Sequence, residues 1–347
     1  MNAAPLSRRA FLAAAAVATA AFAAEPVPAR RLRAGFLGTG YSHFRDKHAL
    51  LKDSPDFELV GLCEEDADVR EKGPADARWL TREELLAAAE VIIVESAVRD
   101  HSRHARLALE AGRHVHLEKP PAATLREFRE LVELARRKEL LLQIGYMWRY
   151  NPGLARAIEA AEKGWLGEVF LVRATMNTLL DDARRPEWAE FAGGAMFEQG
   201  SHLVDAVVRT LGAPAKVTPF LQHRRAPADL LADNTVAVLE YPRALAIVTS
   251  APLQPNAGPH RFFEILGTQG TARVQPLEPP TLSLDLAAAA GPYAKGRQDV
   301  PLPAFRRYVD EFRDLAAAIR GERPLPVGLD RELEIQAALM QACGVRE

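Results

Sequence analysis

Arg33-Ala34-Gly35-Phe36-Leu37-Gly38-Thr39-Gly40-Tyr41-Ser42-His43 is the stretch on which the reading of the fold turns. Its first half is apolar enough for a buried strand, and its second half is a Gly-x-Gly turn at a helix start. There the backbone N–H groups of Gly38, Thr39, Gly40, Tyr41 and Ser42 can approach a pyrophosphate at the positive end of the helix dipole. The fingerprint departs from the usual pattern at His43, where a third glycine or alanine ordinarily permits tight helix–strand packing. His43 reads two ways, as a group reaching the phosphates or the substrate mouth, or as steric accommodation. A lone Gly-x-Gly is weak evidence, so its context must decide.

Phe57 to Leu62 forms a second apolar strand that ends in Cys63-Glu64-Glu65-Asp66. Glu64 falls where an acid meets the adenosine ribose hydroxyls, and three successive acids would repel a 2′-phosphate, which favours NAD over NADP. The alternation continues with a helix over 83–89, a strand over 91–94, a helix over 101–111 and a strand over 114–117. A helix over 125–138 and a strand over 140–145 follow. Repeated β–α units with apolar strands predict a parallel sheet covered on both faces. Ligands on such sheets sit at the carboxyl ends of the strands, which is where Glu64, Ser96, Glu118-Lys119-Pro120 and the segment 146–150 all fall.

A second stretch carries chemistry: Gly193-Gly194-Ala195-Met196-Phe197-Glu198-Gln199-Gly200-Ser201-His202-Leu203-Val204-Asp205. Glu198 and His202 stand four apart, so on one helical turn both side chains would point the same way. A carboxylate beside an imidazole makes a proton-transfer pair near neutrality, or simply a capped surface helix. Around it the texture changes. Short strands separated by turn signals, over 169–177, 216–223, 235–241, 244–250, 261–266, 272–275 and 282–286, predict a largely antiparallel sheet with helices on one face. A polar loop over 178–192 sits where a lid would read the substrate. Amphipathic helices over 305–320 and 329–343 close the chain. The expected architecture is therefore α/β: a Rossmann domain over 31–150, then an α+β domain over 151–347 with a large, open, mostly antiparallel sheet.

In motif content and order the chain resembles the Gfo/Idh/MocA family of nicotinamide-dependent oxidoreductases. The resemblance rests on the Gly-x-Gly strand, the acidic second strand end, Glu118-Lys119-Pro120, Gly145-Tyr146-Met147-Trp148-Arg149-Tyr150 and the segment Gly193 to Asp205. It implies NAD as cofactor, held by the glycine turn together with Glu64, Ser96, His104, Glu118 and Lys119. His104 matches a position on the nicotinamide side, with a cap of the helix start as the alternative reading. Lys119 matches the active-site lysine, expected to steady the reacting oxygen as a cation does, with a Lys119–Pro120 bond that proline allows to be cis. His202 matches the catalytic histidine, the expected general base. Glu198 stands where many members have aspartate, so its longer arm either orients His202 from a retreated backbone or takes another role. Tyr146, Trp148 and Arg149 would line a sugar pocket, with interdomain core as the alternative for Trp148. The resemblance further implies a homo-oligomer built through the C-terminal sheet.

With 347 residues, 48% hydrophobic and 26% charged, the chain is long enough for two domains with real cores. A net charge of −2 without a basic block argues against nucleic acid as a partner. Cys63 and Cys343 lack metal-ligand spacing, and no His, Cys and carboxylate set has it, so no metal is expected. Ser7-Arg8-Arg9-Ala10-Phe11-Leu12, an Ala-rich run to Phe22 and Ala21-Phe22-Ala23 read as a twin-arginine export signal over residues 1–24. That run is too short for stable membrane insertion, and the expected address is the periplasm. The leading expectation is an NAD-dependent oxidoreductase acting on a hydroxyl of a sugar, polyol or sugar derivative. Two rivals stay open: a glycosidase that works by transient oxidation and elimination, and a non-catalytic sugar or nucleotide sensor.

Overall fold

In the computed structural model residues 30–345, apart from Pro227, are described. The expected export leader lies outside them.

The first half alternates as its sequence pattern requires: β1 (Leu32–Leu37), α1 (Phe44–Lys52), β2 (Phe57–Cys63), α2 (Ala67–Glu71), α3 (Arg82–Ala88), β3 (Val91–Val94), α4 (His101–Glu110), β4 (His114–Leu117), α5 (Leu125–Arg137) and β5 (Leu142–Ile144). The five strands form one parallel sheet in the order β2-β1-β3-β4-β5. Every residue of β3 is buried, as expected of a strand covered on both faces. Strand order reverses between β1 and β3, so a crevice opens at their carboxyl ends, beside Gly38 and Ser96. Helix ends are set by local chemistry. Thr81 and Glu84 make a reciprocal capping box at α3, and Asn151 caps the next helix, α6 (Pro152–Glu162), whose first residue is the tolerated N1 proline.

The second half comprises β6 (Val169–Thr175), α7 (Arg185–Ala189), α8 (Ser201–Leu211), β7 (Lys216–Gln222), β8 (Asn234–Glu240), β9 (Leu245–Ser250), β10 (Phe262–Gly267), β11 (Gly270–Leu277), β12 (Pro280–Leu286), β13 (Gly296–Val300), α9 (Val309–Ile319) and α10 (Leu329–Ala342). Its eight strands run β13-β12-β11-β10-β6-β9-β8-β7. All neighbours are antiparallel except β6 and β9. Helices α6, α8 and α10 lie against this half's strands, while Phe170, Phe220 and Leu245 point outward and stay exposed. The edge strand β13 (Gly-Arg-Gln-Asp-Val) has no apolar alternation, so pattern reading misses it.

Two further differences have local causes. The helix expected over 305–320 begins only at Val309, because Tyr308 sits in the left-handed region (φ 67°) and breaks the helix before it. The loop expected as a polar lid over 178–192 is pinned down. Trp188 and Leu180 bury themselves with Ala195 and Leu231, and Arg185 pairs with Asp229 and Asp233 (2.5 and 2.8 Å). The last two helices also return to the first sheet. Phe312 packs edge-on against Phe57, and Gln336 donates to the Ala122 carbonyl (3.0 Å). One hydrophobic core therefore runs through both sheets, and from Arg31 onward the chain is one compact unit.

Candidate active site

At the end of β1 the chain turns with Gly38 at φ 81°, and a Cβ there would lie 2.3 Å from the Ser96 Cβ, so only glycine fits the crossing. Gly38 and Tyr41 N–H groups donate to the Cys63 and Glu95 carbonyls (2.8 Å each). Thr39 N–H donates to Glu64 (2.7 Å). The N–H groups of Gly40 and Ser42 have no partner among the described residues. A cleft of about 600 Å³ opens there, lined by Thr39, Gly40, Tyr41, Ser42, Arg45 and Lys72 among others. A Cβ on Gly40 would meet nothing closer than 3.7 Å, and the buried Ser96 hydroxyl lacks a partner among the described residues. Free N–H groups, cationic walls and an orphaned hydroxyl at a strand crossover fit a dinucleotide pyrophosphate. The acids divide their work. Glu64 is fixed against the loop, Glu65 is paired with Arg82 and Arg103 (2.9 and 3.2 Å), and Asp66 caps α2. The expected repulsion of a 2′-phosphate by three free acids is thus reduced to Glu64.

Beyond Tyr41 the two halves of the chain meet. Residues Met196–Gly200 wind as a π-helical turn ahead of α8, and the carboxylate of Glu198 is taken up by partners from the other half of the chain, not by His202. Glu198 therefore does not orient His202 as its spacing suggested. It accepts from the Tyr41 hydroxyl (2.5 Å) and from the Lys119 ammonium (2.9 Å). Lys119, which follows β4 and has a cis bond to Pro120, also donates to the Glu198 carbonyl (2.9 Å). An ammonium has three N–H groups, so one remains for another oxygen. His202 is 3% exposed, stacked on Trp148 (ring centroids 5.3 Å apart) and edge-on to Tyr146 (5.8 Å). Burial, then the charges of Lys119 and His43, hold its pKa well below that of an ordinary histidine. The Nδ1 of His202, the Tyr146 hydroxyl and the Trp148 indole N–H are buried without partners among the described residues. Such a cluster of unsatisfied groups marks a place built for a ligand.

Three expected site residues are placed elsewhere. Arg149 is not free for a substrate. It is locked to Asp205 (2.8 Å) and Glu332 (2.5 Å) with all three side chains buried. Glu118 does not face the cofactor crevice. Its carboxylate is fully buried against Lys47 and His43. His104 lies beside Glu65 (3.9 Å), at the β2 end rather than the Lys119 end, and burial followed by Arg103 pushes its pKa down to about 4. The imidazole near the Lys119 segment is His101, which bridges the Pro120 and Ser96 carbonyls (2.8 and 3.0 Å).

Sequence reading gave no notice of the charged cluster behind this site. Lys47, on the buried face of α1, reaches Glu118, Glu95 (2.7 Å) and His116 Nε2 (2.9 Å). Glu95, His116 and Glu118 are close enough together to hold a cation, and the Lys47 ammonium fills that place. Burial disfavours this ammonium, but Glu118 and Glu95 outweigh it and hold its pKa above the lysine value. Burial likewise opposes ionised Glu118, yet Lys47, then His43, keep its pKa well below the usual range. One ammonium cannot hold a second carboxylate ionised, and burial lifts Glu95 to about 8. A carboxyl raised on folding adds stability below its unfolded pKa, and that stability is lost as pH rises to the folded value. Glu95→Gln should therefore flatten the fall of melting temperature between about pH 5 and 8. An unchanged pH slope would show that Glu95 titrates normally.

A parallel sheet with a pyrophosphate-shaped glycine turn, and a lysine and a histidine converging beside it, define a dinucleotide-dependent oxidoreductase. Comparison with known proteins agrees: residues 32–146 match the oxidoreductase family with an NAD-binding Rossmann fold, and residues 154–273 match the GFO/IDH/MocA C-terminal domain. The chain belongs to the GFO/IDH/MocA family and uses NAD. An uncharacterised oxidoreductase of Schizosaccharomyces pombe is 30% identical over 69% of this chain and 70% of its own length. A D-glucoside 3-dehydrogenase of Escherichia coli is 30% identical over 53% of this chain and 55% of its own. The fold is shared with an oxidoreductase of Agrobacterium radiobacter solved with NAD+, L-tartaric acid and magnesium (TM-score 0.76, 18% identity, 91% of this chain and 97% of that one).

Proposed function

We propose that the chain oxidises a secondary hydroxyl of a sugar, polyol or sugar derivative. NAD, when bound, supplies the hydride acceptor. The remaining N–H of Lys119 donates to the substrate oxygen and favours its developing negative charge. Glu198 and Tyr41 hold that ammonium in place. His202, neutral because burial and Lys119 oppose its charging, takes the hydroxyl proton on Nε2, the ring nitrogen not sealed in. Trp148 and Tyr146 fix the imidazole and offer apolar faces to a sugar ring.

One observation carries the reading: Tyr41, Lys119, Tyr146 and Trp148, from the ends of three different parallel strands, converge on the Glu198–His202 turn of the other half. The D-glucoside 3-dehydrogenase supports the substrate class. The test is to incubate the purified chain with NAD and a panel of sugars, polyols and aryl glycosides, following nicotinamide absorbance and aglycone release together. NADH formation matched to sugar oxidation is expected. Aglycone release without net NADH would replace dehydrogenation by glycosidic cleavage, and nucleotide binding with neither product would leave a sensor. For the cofactor, Glu64→Ala should weaken NAD by about tenfold, the scale of a lost hydrogen bond to a charged group, and should relax discrimination against NADP. Equal titrations of parent and variant with both nucleotides would mean that another residue reads the ribose.

A further inference from the structure

We infer that Tyr41 is a positioning residue that ties the nucleotide turn to the catalytic lysine: its hydroxyl, carried by the segment that receives the pyrophosphate, sets how Glu198 holds Lys119. The inference rests on the oxidoreductase reading above. Tyr41 stands inside the turn, between Gly40 and Ser42, whose N–H groups have no partner among the described residues. Its own N–H donates to the Glu95 carbonyl (2.8 Å), which fixes the residue just beyond β3. The side chain is buried, edge-on to His43 (ring centroids 5.1 Å apart) and tilted against His101 (5.7 Å). His101 is itself bound to the Pro120 and Ser96 carbonyls. A buried ring packed on two sides moves with its backbone, so a shift of the turn shifts the hydroxyl.

That hydroxyl reaches across to the other half of the chain. It donates to Glu198 Oε1 (2.5 Å), the same oxygen that accepts from the Lys119 ammonium (2.9 Å). The ammonium in turn lies 5.3 Å from the Tyr41 ring centroid, within reach of a cation–π contact. Two donors on one carboxylate oxygen divide its charge between them. The carboxylate then fixes the place of the ammonium without drawing its full charge away from a substrate oxygen. Without the hydroxyl, Oε1 would serve Lys119 alone and hold it closer. Burial, then the charge of Glu198, keeps the phenol pKa well above its ordinary value, so the group donates throughout the neutral range. The nucleotide turn and Glu198 are therefore coupled through one side chain, and such coupling is reciprocal in binding.

The experiment is a double-mutant cycle on NAD affinity, read by calorimetry on the full chain, with Tyr41→Phe and Glu198→Ala. Alone, Glu198→Ala should weaken NAD by about fivefold, the lower end of coupling between sites. In the Tyr41→Phe background it should add nothing, because the link is already cut. Glu198→Gln keeps an oxygen for the hydroxyl and should keep the parent affinity, which separates the lost link from general damage. Additive effects of the two substitutions would overturn the coupling. Tyr41→Phe, which keeps the ring, supplies a second measurement should Glu198→Ala fail to fold. Its kcat should fall by about tenfold, the scale of one hydrogen bond to a charged group, with little change in KM for the sugar. The acid limb of its kcat/KM profile should stay where the parent has it, since Lys119 keeps its charge. An unchanged kcat, or an acid limb displaced as in Lys119→Ala, would overturn the positioning role. A parent that binds NAD but oxidises no sugar would instead defeat the oxidoreductase reading, while the affinity cycle still decides whether Tyr41 carries the coupling.

Discussion

Lys119→Ala should lower kcat by roughly two to four orders of magnitude while leaving NAD binding nearly intact. The ammonium is held on two sides by Glu198, and the direction left open is the one a substrate oxygen would take. Removing it deletes a charge that acts where the oxygen becomes an alkoxide. It also leaves Glu198, mostly buried, with only the Tyr41 hydroxyl, so some loss of stability accompanies the loss of rate. Lys119→Met, which keeps the stem, separates the two effects by restoring packing without charge. A titration supplies an independent signature. Lys119 is, after burial, the first cause of the low His202 pKa. Its removal should therefore raise that pKa and move the acid limb of the kcat/KM profile to higher pH. Near-normal kcat with an unmoved profile would mean that the chemistry lies elsewhere.

The parallel sheet was legible because its strands are buried on both faces and read as unbroken apolar runs such as Val91-Ile92-Ile93-Val94. The glycine turn was legible because a positive φ at Gly38 and a close approach to Ser96 demand the residue type. What pattern reading missed depends on contacts between distant segments. Glu198 is four residues from His202 but is claimed by Lys119 and Tyr41, residues 79 and 157 positions away along the chain. Spacing along one helix carries no trace of partners that far away in the chain. Lys47 left one usable trace. It lies on the same helical face as Leu51, an apolar stripe on which a lysine must find a carboxylate or go unburied. Its partners Glu95 and Glu118 end two separate strands, so only the sheet order brings them together. The role of Arg149 was misjudged for the same reason, since Glu332 lies on the last helix.

Arg149→Met should destabilise the protein by about 3–5 kcal/mol, the scale for removing one partner from a buried ion pair. The guanidinium donates four hydrogen bonds of 2.5–3.0 Å, two to Asp205 on α8 and two to Glu332 on α10. Its Cζ lies 4.7 Å from the Tyr146 ring centroid. It thus ties the turn after β5 to two helices of the other half, with all three charged side chains out of water. Methionine can fill much of the volume, so the loss comes from two buried carboxylates left facing each other. Burial, the largest influence on Glu332, already raises its pKa, with Arg149 pulling it back. Without Arg149 the pair must take up a proton, and the variant should regain stability as pH falls. Adding Asp205→Asn and Glu332→Gln removes the stranded charge and should recover most of the loss at neutral pH. Turnover should fall moderately, because the same turn carries Tyr146 and Trp148 to His202, whereas KM for the sugar should hardly move. The opposite pattern, unchanged denaturant unfolding with a strongly raised KM, would return Arg149 to the substrate pocket.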